Sequence, residues 1–260
     1  MYDVHCHILP DLDDGPKTLE AALEMARIAA ADGTKAIVAT PHAEQVAARG
    51  GCPFLEERVQ AFRHELQANG IGLDLVTGVE HVLTVELLKE AKEGRAVTLN
   101  GSHYILVELD FFQWPPFAED AFFQLQIAGY TPVLAHPERQ ATIQKEPERL
   151  ARLVEAGVLA QVTAGSLLGE FGGTALESAE ELVRRGLVHC IASDGHSPEA
   201  RRRPPLMSEA RQALAELAGA ETAQLLGIAN PQAILGGKQV VLPDPPRRSR
   251  GKRFLWFGRG

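Results

Sequence analysis

Cysteine is scarce: Cys6, Cys52 and Cys190 are the only three, odd in number and unclustered. That spacing excludes a disulfide framework and a CxxC zinc site, and it points to a reducing compartment. No stretch of eighteen or more apolar residues occurs, so no membrane-spanning helix is expected. The opening residues Met1 to His5 hold no basic segment followed by an apolar one. No secretory signal is therefore expected, and the chain is expected in the cytoplasm. Neither GxGxxG nor GxxxxGK(S/T) is present, which weakens a nucleotide-binding reading.

What is there bounds the protein further. The 260 residues are 45% hydrophobic, enough for one large core. Formal net charge is −8, but six basic residues (Arg247, Arg248, Arg250, Lys252, Arg253 and Arg259) crowd the end with no acid among them. Without those six, 20 basic residues face 34 acidic ones, so the body is near −14. A body this acidic argues against general nucleic-acid binding.

Strand-like and helix-like segments alternate throughout. Strands are expected over residues 2–6, 36–39, 73–79, 104–109, 131–135, 158–163 and 189–192. Helices are expected over 18–31, 54–68, 85–93, 118–128, 147–156, 173–185, 205–218 and 221–226. About seven βα units without a composition break imply a mainly parallel sheet in one domain over residues 1–242. A closed or nearly closed barrel is the favoured arrangement, and an open doubly wound sheet is the alternative. Residues 243–260 form a Pro-rich, then basic and aromatic tail.

The polar residues fall into a pattern on that map. His5 and His7 end the first strand and share a face, and Asp14 lies in the loop beyond. His42 follows the second strand, Glu80 the third, Glu108 the fourth and His136 the fifth. Asp194 and His196 follow the seventh. Six of seven strands thus deliver a metal-type ligand at the carboxyl end, where catalytic groups converge in β/α barrels. The sixth offers only Thr163 and Ser166. Any one of these residues alone reads as a structural histidine or a solvated acid. Together they would repel one another and lose hydration unless a cation compensated them. Nine ligands suit two or three divalent ions. Imidazole and carboxylate without thiolate suit manganese, iron, cobalt or zinc rather than calcium or magnesium alone, and manganese is the ion expected. Such ions lower the pKa of bound water from 15.7 towards about 7, so hydrolysis needs no protein nucleophile.

The segments His5-Cys6-His7-Ile8-Leu9-Pro10 and Asp13-Asp14-Gly15-Pro16-Lys17-Thr18 resemble the opening of a known bacterial family. Ala39-Thr40-Pro41-His42, Gly78-Val79-Glu80, His136-Pro137-Glu138-Arg139 and Ser193-Asp194-Gly195-His196 follow in its order. The family is the PHP-type (polymerase and histidinol phosphatase) tyrosine-protein phosphatases of capsule and exopolysaccharide operons. The resemblance runs from Tyr2 to about Leu242. It implies a distorted (β/α)7 TIM-like barrel and hydrolysis of phosphotyrosine on the tail of a membrane-bound tyrosine autokinase. It also implies a trinuclear site. His5, His7, Glu80 and Asp194 would hold one ion, Glu80, Glu108 and His136 a second, and Asp14, His42 and His196 a third. Arg139, His42 and His136 would be catalytic, with Arg139 binding phosphate. Departures are His81 after the motif Glu, Gln140 after the motif Arg, and Gly195 where a slightly larger residue is usual.

Rival readings remain open on sequence alone. Cys52 to Arg58 matches the Cx5R loop of cysteine-dependent phosphatases, but Pro53 has no N–H for phosphate, and Glu56 and Glu57 would repel it. A PHP phosphatase for a small phosphomonoester such as histidinol phosphate is the main alternative, and a nuclease relative or a metal-binding kinase adaptor are others. Arg201, Arg202 and Arg203 either flank a helix or line the rim for an acidic phosphopeptide. The basic tail is either an unstructured end or a weak contact with anionic lipid. Vesicle co-sedimentation of the full chain and of a chain ending at residue 245 separates the last two readings. Binding to anionic vesicles that disappears on truncation supports the lipid contact, and binding that does not change disposes of it.

Overall fold

The computed structural model describes residues 1–200 and 203–242. Its first sheet is parallel, in the order β1 (Tyr2–Cys6), β2 (Ala36–Ala39), β3 (Asp74–Thr77). Its second is parallel in sequence order: β4 (Glu80–Val82), β5 (Tyr104–Glu108), β6 (Thr131–Ala135), β7 (Leu159–Thr163) and β8 (Cys190–Ala192). The helices are α1 (Leu19–Ala31), α2 (Ala43–Ala48), α3 (Cys52–Ala68), α4 (Val85–Lys92), α5 (Ala118–Ile127), α6 (Ala141–Lys145), α7 (Glu148–Glu155), α8 (Ala164–Leu167), α9 (Gly173–Arg184), α10 (Ser208–Ala218), α11 (Ala220–Gln224) and α12 (Asn230–Leu235).

The two sheets are tied to one another at both edges. At one, Cys6 bridges Gly195 in parallel, His7 N–H donates to the Gly195 carbonyl at 2.8 Å and Asp194 N–H to the His5 carbonyl at 2.9 Å. Buried Asp3 reinforces that edge by accepting from Ser193 N–H at 3.0 Å and from its hydroxyl at 2.5 Å. At the other edge, His42 bridges Glu80, and Glu80 N–H donates to the Pro41 carbonyl at 3.1 Å. Strands buried on both faces read as continuous apolar runs, which is how most of these appear in the sequence. Their alternation still sorts the side chains. Val38, Leu106, Val133, Leu159 and Cys190 pack with Val4 in one cluster drawn from six strands. The intervening Ile37, Ile105, Leu134 and Ile191 face the helices.

The third expected strand, 73–79, is not one strand. It breaks after Thr77, and the chain restarts as β4 with Glu80 as its first residue, so Glu80 opens a strand rather than ending one. The break changes partners: β3 pairs with β2, and β4 pairs with β5. Gly78 makes the crossing because a Cβ there would lie 2.6 Å from Val38 Cγ1 and 3.0 Å from Leu99 Cδ2. The other expected strands lie within a residue or so of those observed. Threonine caps start α1 and α4, with Thr18 Oγ1 accepting from Ala21 N–H and Thr84 Oγ1 from Leu87 N–H, both at 3.2 Å, whereas α3, α5, α9 and α10 have no side-chain cap. The short α2, α6, α8 and α12 give too few turns for a helical period to show.

Replacing Gly78 by valine should overfill this contact and cost roughly 1–3 kcal/mol. Urea unfolding should show a lower midpoint with an unchanged slope. An unchanged midpoint would mean that the neighbours yield freely.

Candidate metal centre

The strand ends converge as the sequence pattern predicts, and their side chains meet around one carboxylate. Glu80 is buried. Its Oε1 lies 3.0 Å from His136 Nε2 and 3.2 Å from His5 Nε2, and its Oε2 lies 3.2 Å from His42 Nδ1 and 3.3 Å from His7 Nε2. Glu108, on β5, stands beyond it, 3.6 Å from His42 Nδ1 and 3.8 Å from His136 Nε2. Asp194 Oδ1 is 3.5 Å from His5 Nε2 and 3.8 Å from His7 Nε2. Asp14 Oδ1 closes the outer side at 3.2 Å from His196 Nε2 and 3.4 Å from His42 Nε2. Donor atoms close enough to share an ion form three overlapping groups: His5, His7 and Glu80; His42, Glu80 and Glu108; and His7, Asp14, His42 and His196. These groups hold seven of the nine expected residues; His136 and Asp194 lie outside them but border the cluster, His136 Nε2 at 3.0 Å from Glu80 Oε1 and Asp194 Oδ1 at 3.5 Å from His5 Nε2.

The donor chemistry fits a cation. Deprotonated His5 donates from Nδ1 to Gln161 Oε1 at 2.8 Å, and His7 from Nδ1 to Asp13 Oδ2 at 2.7 Å. Those bonds leave a lone pair on each Nε2, and the two Nε2 atoms stand 3.3 Å apart with Glu80 and Asp194 beside them. Lone pairs and carboxylates crowded this way repel unless positive charge lies between them. His196 is oriented likewise, with Nδ1 donating to the Asp194 carbonyl at 2.8 Å. Orienting partners of this kind fix the tautomer and raise ligand basicity.

Without a metal, protons supply the missing charge. Burial opposes protonation of His42, but the bonds to Asp14 and Glu80 outweigh it and push the imidazole up to about 11. His7 rises to about 10 against the same burial penalty, through Asp13 and Glu80. Burial alone would raise Glu80, yet the charge of His5 and the hydrogen bonds from His136, His42 and His5 hold it well below the usual carboxylate range. Glu108 goes the other way, to about 7, through burial and the charge of Glu80. Two residues of the site also hold backbone angles that side chains rarely adopt, His136 at φ 36° and Asp194 at φ 51°. Such strain persists where surrounding contacts over-determine it.

Arg139 is brought to the site by the 3-10 turn Pro137–Arg139. Its Nη1 donates to Asp194 Oδ2 at 2.8 Å, and its Cζ lies 4.5 Å from the Phe111 ring centroid and 4.3 Å from that of Phe171. Arg203 also reaches in, 3.1 Å from Asp194 Oδ2 and 3.6 Å from Asp14 Oδ2. Arg201, Arg202 and the tail from residue 243 lie outside the described residues. His81 turns away from the cluster. It is buried, with Nε2 2.9 Å from the Val97 carbonyl, and burial lowers it to about 4, so it is neutral. Gln140 is a clamp. Its Oε1 accepts from Thr142 and Ile143 N–H at 2.6 and 3.0 Å, while its Nε2 donates to the Asp110 and Gln113 carbonyls, both at 3.2 Å. Cys52 is no nucleophile. Burial and then Glu56, 3.6 Å from its Sγ, raise its thiol.

Sequence reasoning missed Asp13, Gln161, Phe111 and Phe171. Gln161 had a signal: it is an inward polar residue two places after Leu159, in a strand that is otherwise apolar up to its end. Asp13 and the two phenylalanines had none, because their roles depend on loop paths.

A parallel α/β fold whose strand ends gather imidazoles and carboxylates around one shared glutamate is the architecture of a protein able to hold metal ions at that end. The profile for "Capsular polysaccharide synthesis, CpsB/CapC" matches residues 1–236. The chain belongs to that family. It is 34% identical over 257 residues to tyrosine-protein phosphatase YwqE of Bacillus subtilis, covering 99% of this chain and 100% of that one. It is 29% identical over 244 residues to tyrosine-protein phosphatase CpsB of Streptococcus pneumoniae, covering 90% and 98%. A crystal structure from work on these two proteins, described as unique metal-dependent tyrosine phosphatases, superposes with a TM-score of 0.86 at 33% identity, covering 96% of this chain and 100% of that one.

The geometry predicts that metal uptake at pH 7 releases protons, because His7 and His42 keep theirs up to about 10 and 11 when no cation is bound. Apparent affinity should therefore rise with pH towards those values. Calorimetric titration with Mn2+ in buffers of different ionisation enthalpy measures the release, and none would contradict the assignment. Gln161→Leu and Asp13→Asn should each weaken binding roughly 10- to 100-fold.

Proposed function

We propose that this chain is a metal-dependent protein-tyrosine phosphatase that hydrolyses phosphotyrosine on the tail of a membrane-bound tyrosine autokinase controlling capsule or exopolysaccharide synthesis. The observation that carries the reading is the crowding of His5 and His7 Nε2 with Glu80 and Asp194, beside a fixed arginine fork. The family membership and the names of the relatives support the phosphotyrosine substrate. Neither YwqE nor CpsB is named for a small phosphomonoester, and histidinol phosphate is correspondingly disfavoured.

His5, His7, Asp14, His42, Glu80, Glu108, His136, Asp194 and His196 would hold two or three divalent ions, manganese first. Bound there, such ions lower the pKa of water and neutralise phosphate charge. The protein's own contribution is positioning. Arg139 would offer its remaining N–H groups to phosphate oxygens, and its fork is held by Asp194 and by two rings, so little reorganisation would accompany binding. Arg203 shares Asp194 Oδ2 with Arg139 and also reaches Asp14 Oδ2 at 3.6 Å. His42 and His136 flank Glu108, at 3.6 and 3.8 Å, and would act there on the bound phosphoryl group. The only exposed thiol among the described residues, Cys52, is raised rather than activated, so no protein nucleophile is required.

The same reading takes residues 1–242 as one domain and its sheets as a distorted β/α barrel of seven units, with the third strand split. The bridges at both sheet edges and the cluster drawn from six strands support this. No helix among the described residues is long and apolar enough to cross a membrane. The free thiols fit a reducing, cytoplasmic setting.

Phosphate release from a phosphotyrosine peptide, with and without chelator, tests the proposal. Activity should vanish with chelator and return with Mn2+. Arg139→Ala should lower kcat on the order of 10²- to 10³-fold in metal-replete protein. Chelator-insensitive turnover, or faster turnover of histidinol phosphate than of the peptide, would overturn the reading.

A further inference from the structure

One strand end supplies no metal-type ligand. The loop after β7 instead builds a wall. Ser166, on α8, donates its hydroxyl to Glu138 Oε1 at 2.6 Å, and Thr163 N–H donates to the same oxygen at 3.1 Å. Glu138 is fully buried and lies between His136 and Arg139 in the 3-10 turn, so these bonds fix the loop to that turn. Gly165 leaves room for the side chains of Glu170 and Phe171. A Cβ there would meet Glu170 Oε2 at 2.4 Å and Phe171 Cε2 at 3.1 Å. The loop therefore folds back across Gly165 and sets the Phe171 ring against Arg139.

Phe171 has a second neighbour: a cavity of about 800 Å³ bounded also by Asp14, Lys17, His196 and Arg203. Two of those residues belong to the metal-type cluster, so the cavity opens directly onto it. Its size is that of a small-ligand site. On the opposite flank of Arg139 stands Phe111, whose ring centroid is 5.1 Å from that of His136. Phe111 is fixed from two directions, by its carbonyl accepting Ala141 N–H at 2.7 Å and by the Gln140 clamp on Asp110 and Gln113. Two half-buried rings thus hold the arginine, and one of them borders the open space beside the ligands.

From this we infer that Phe171 is a specificity-determining residue, whose ring packs against the aromatic leaving group while Arg139 holds the phosphate attached to it. The inference deepens the proposed function and rests on it. A phenyl ring stacked or edge-on to Phe171 gains contact that an alkyl ester cannot reproduce. Lys17, in the same cavity, gives carboxylates flanking the target residue a partner.

Inhibition by phenylphosphonate and by methylphosphonate, in Mn2+-loaded protein turning over p-nitrophenyl phosphate, tests it. Both phosphonates place the same charge on Arg139 and differ in the ring. The full-length protein should bind phenylphosphonate more tightly. Phe171→Leu, which keeps an apolar side chain, should narrow the ratio of inhibition constants about tenfold, and Phe171→Trp should retain it. A ratio that Phe171→Leu leaves unchanged overturns the inference. Equal weakening of both inhibitors also overturns it, because the ring would then act only by positioning Arg139. If the ratio changes as expected while phosphotyrosine peptide is not hydrolysed, the aromatic wall stands and the proposed substrate falls.

Discussion

Glu80 is a single buried carboxylate within 3.0 to 3.3 Å of four imidazole nitrogens. Those imidazoles arrive from the ends of β1, β2 and β6, and Glu80 itself opens β4. With Nδ1 of His5 and His7 donating to Gln161 and Asp13, neutral rings would turn their Nε2 lone pairs on the carboxylate, so the cluster calls for added protons or metal ions. The constraint reaches outward. It requires the chain to leave β3 early at Gly78, so that the glutamate can start a strand beside β5 rather than end one beside β2. His136 and Asp194, at two of the converging strand ends, hold left-handed backbone angles. At Asp194 that backbone is tied down by its N–H donating to the His5 carbonyl at 2.9 Å.

Much of this was legible in the sequence, for a reason that can be named. Strand ends in a parallel α/β chain fall at one side, so a residue's position at the end of an apolar run also states where it lies in space. His5, His42, Glu108, His136 and Asp194 were all readable by that logic. Glu80 was readable as a ligand but not as the first residue of a new strand, because the break depends on Val38 and Leu99 occupying the space beside Gly78. The orienting residues were harder. Asp13 sits beside Asp14 in the chain, and nothing local says which of the two is buried against His7 and which faces the opening. Gln140 looked like a departure from the family pattern, and its two-sided clamp on α6 and on the loop 110–113 needs coordinates to be seen.

The division of labour among the strand ends follows chemistry. Those carrying histidine or carboxylate concentrate charge, and the end of β7, which carries neither, sends inward a neutral amide, Gln161, and then an aromatic loop. Charge and shape are thereby supplied by different elements. A loop that must recognise an apolar ring would be poorly served by ligands that must stay hydrated or metal-bound, and the separation lets each be altered without the other.

The edge where β1 meets β8 also decides when the centre comes into being. Its residues run from His5 to His196, and the bonds that join those two strands connect positions about as far apart along the chain as the described structure allows. Contacts this remote in sequence form late, after loop-closure entropy has been overcome. The groups His5, His7, Glu80 and His42, Glu80, Glu108 draw only on the first 108 residues, but the group of His7, Asp14, His42 and His196 is complete only once the segment after β8 has docked against β1, the first strand made.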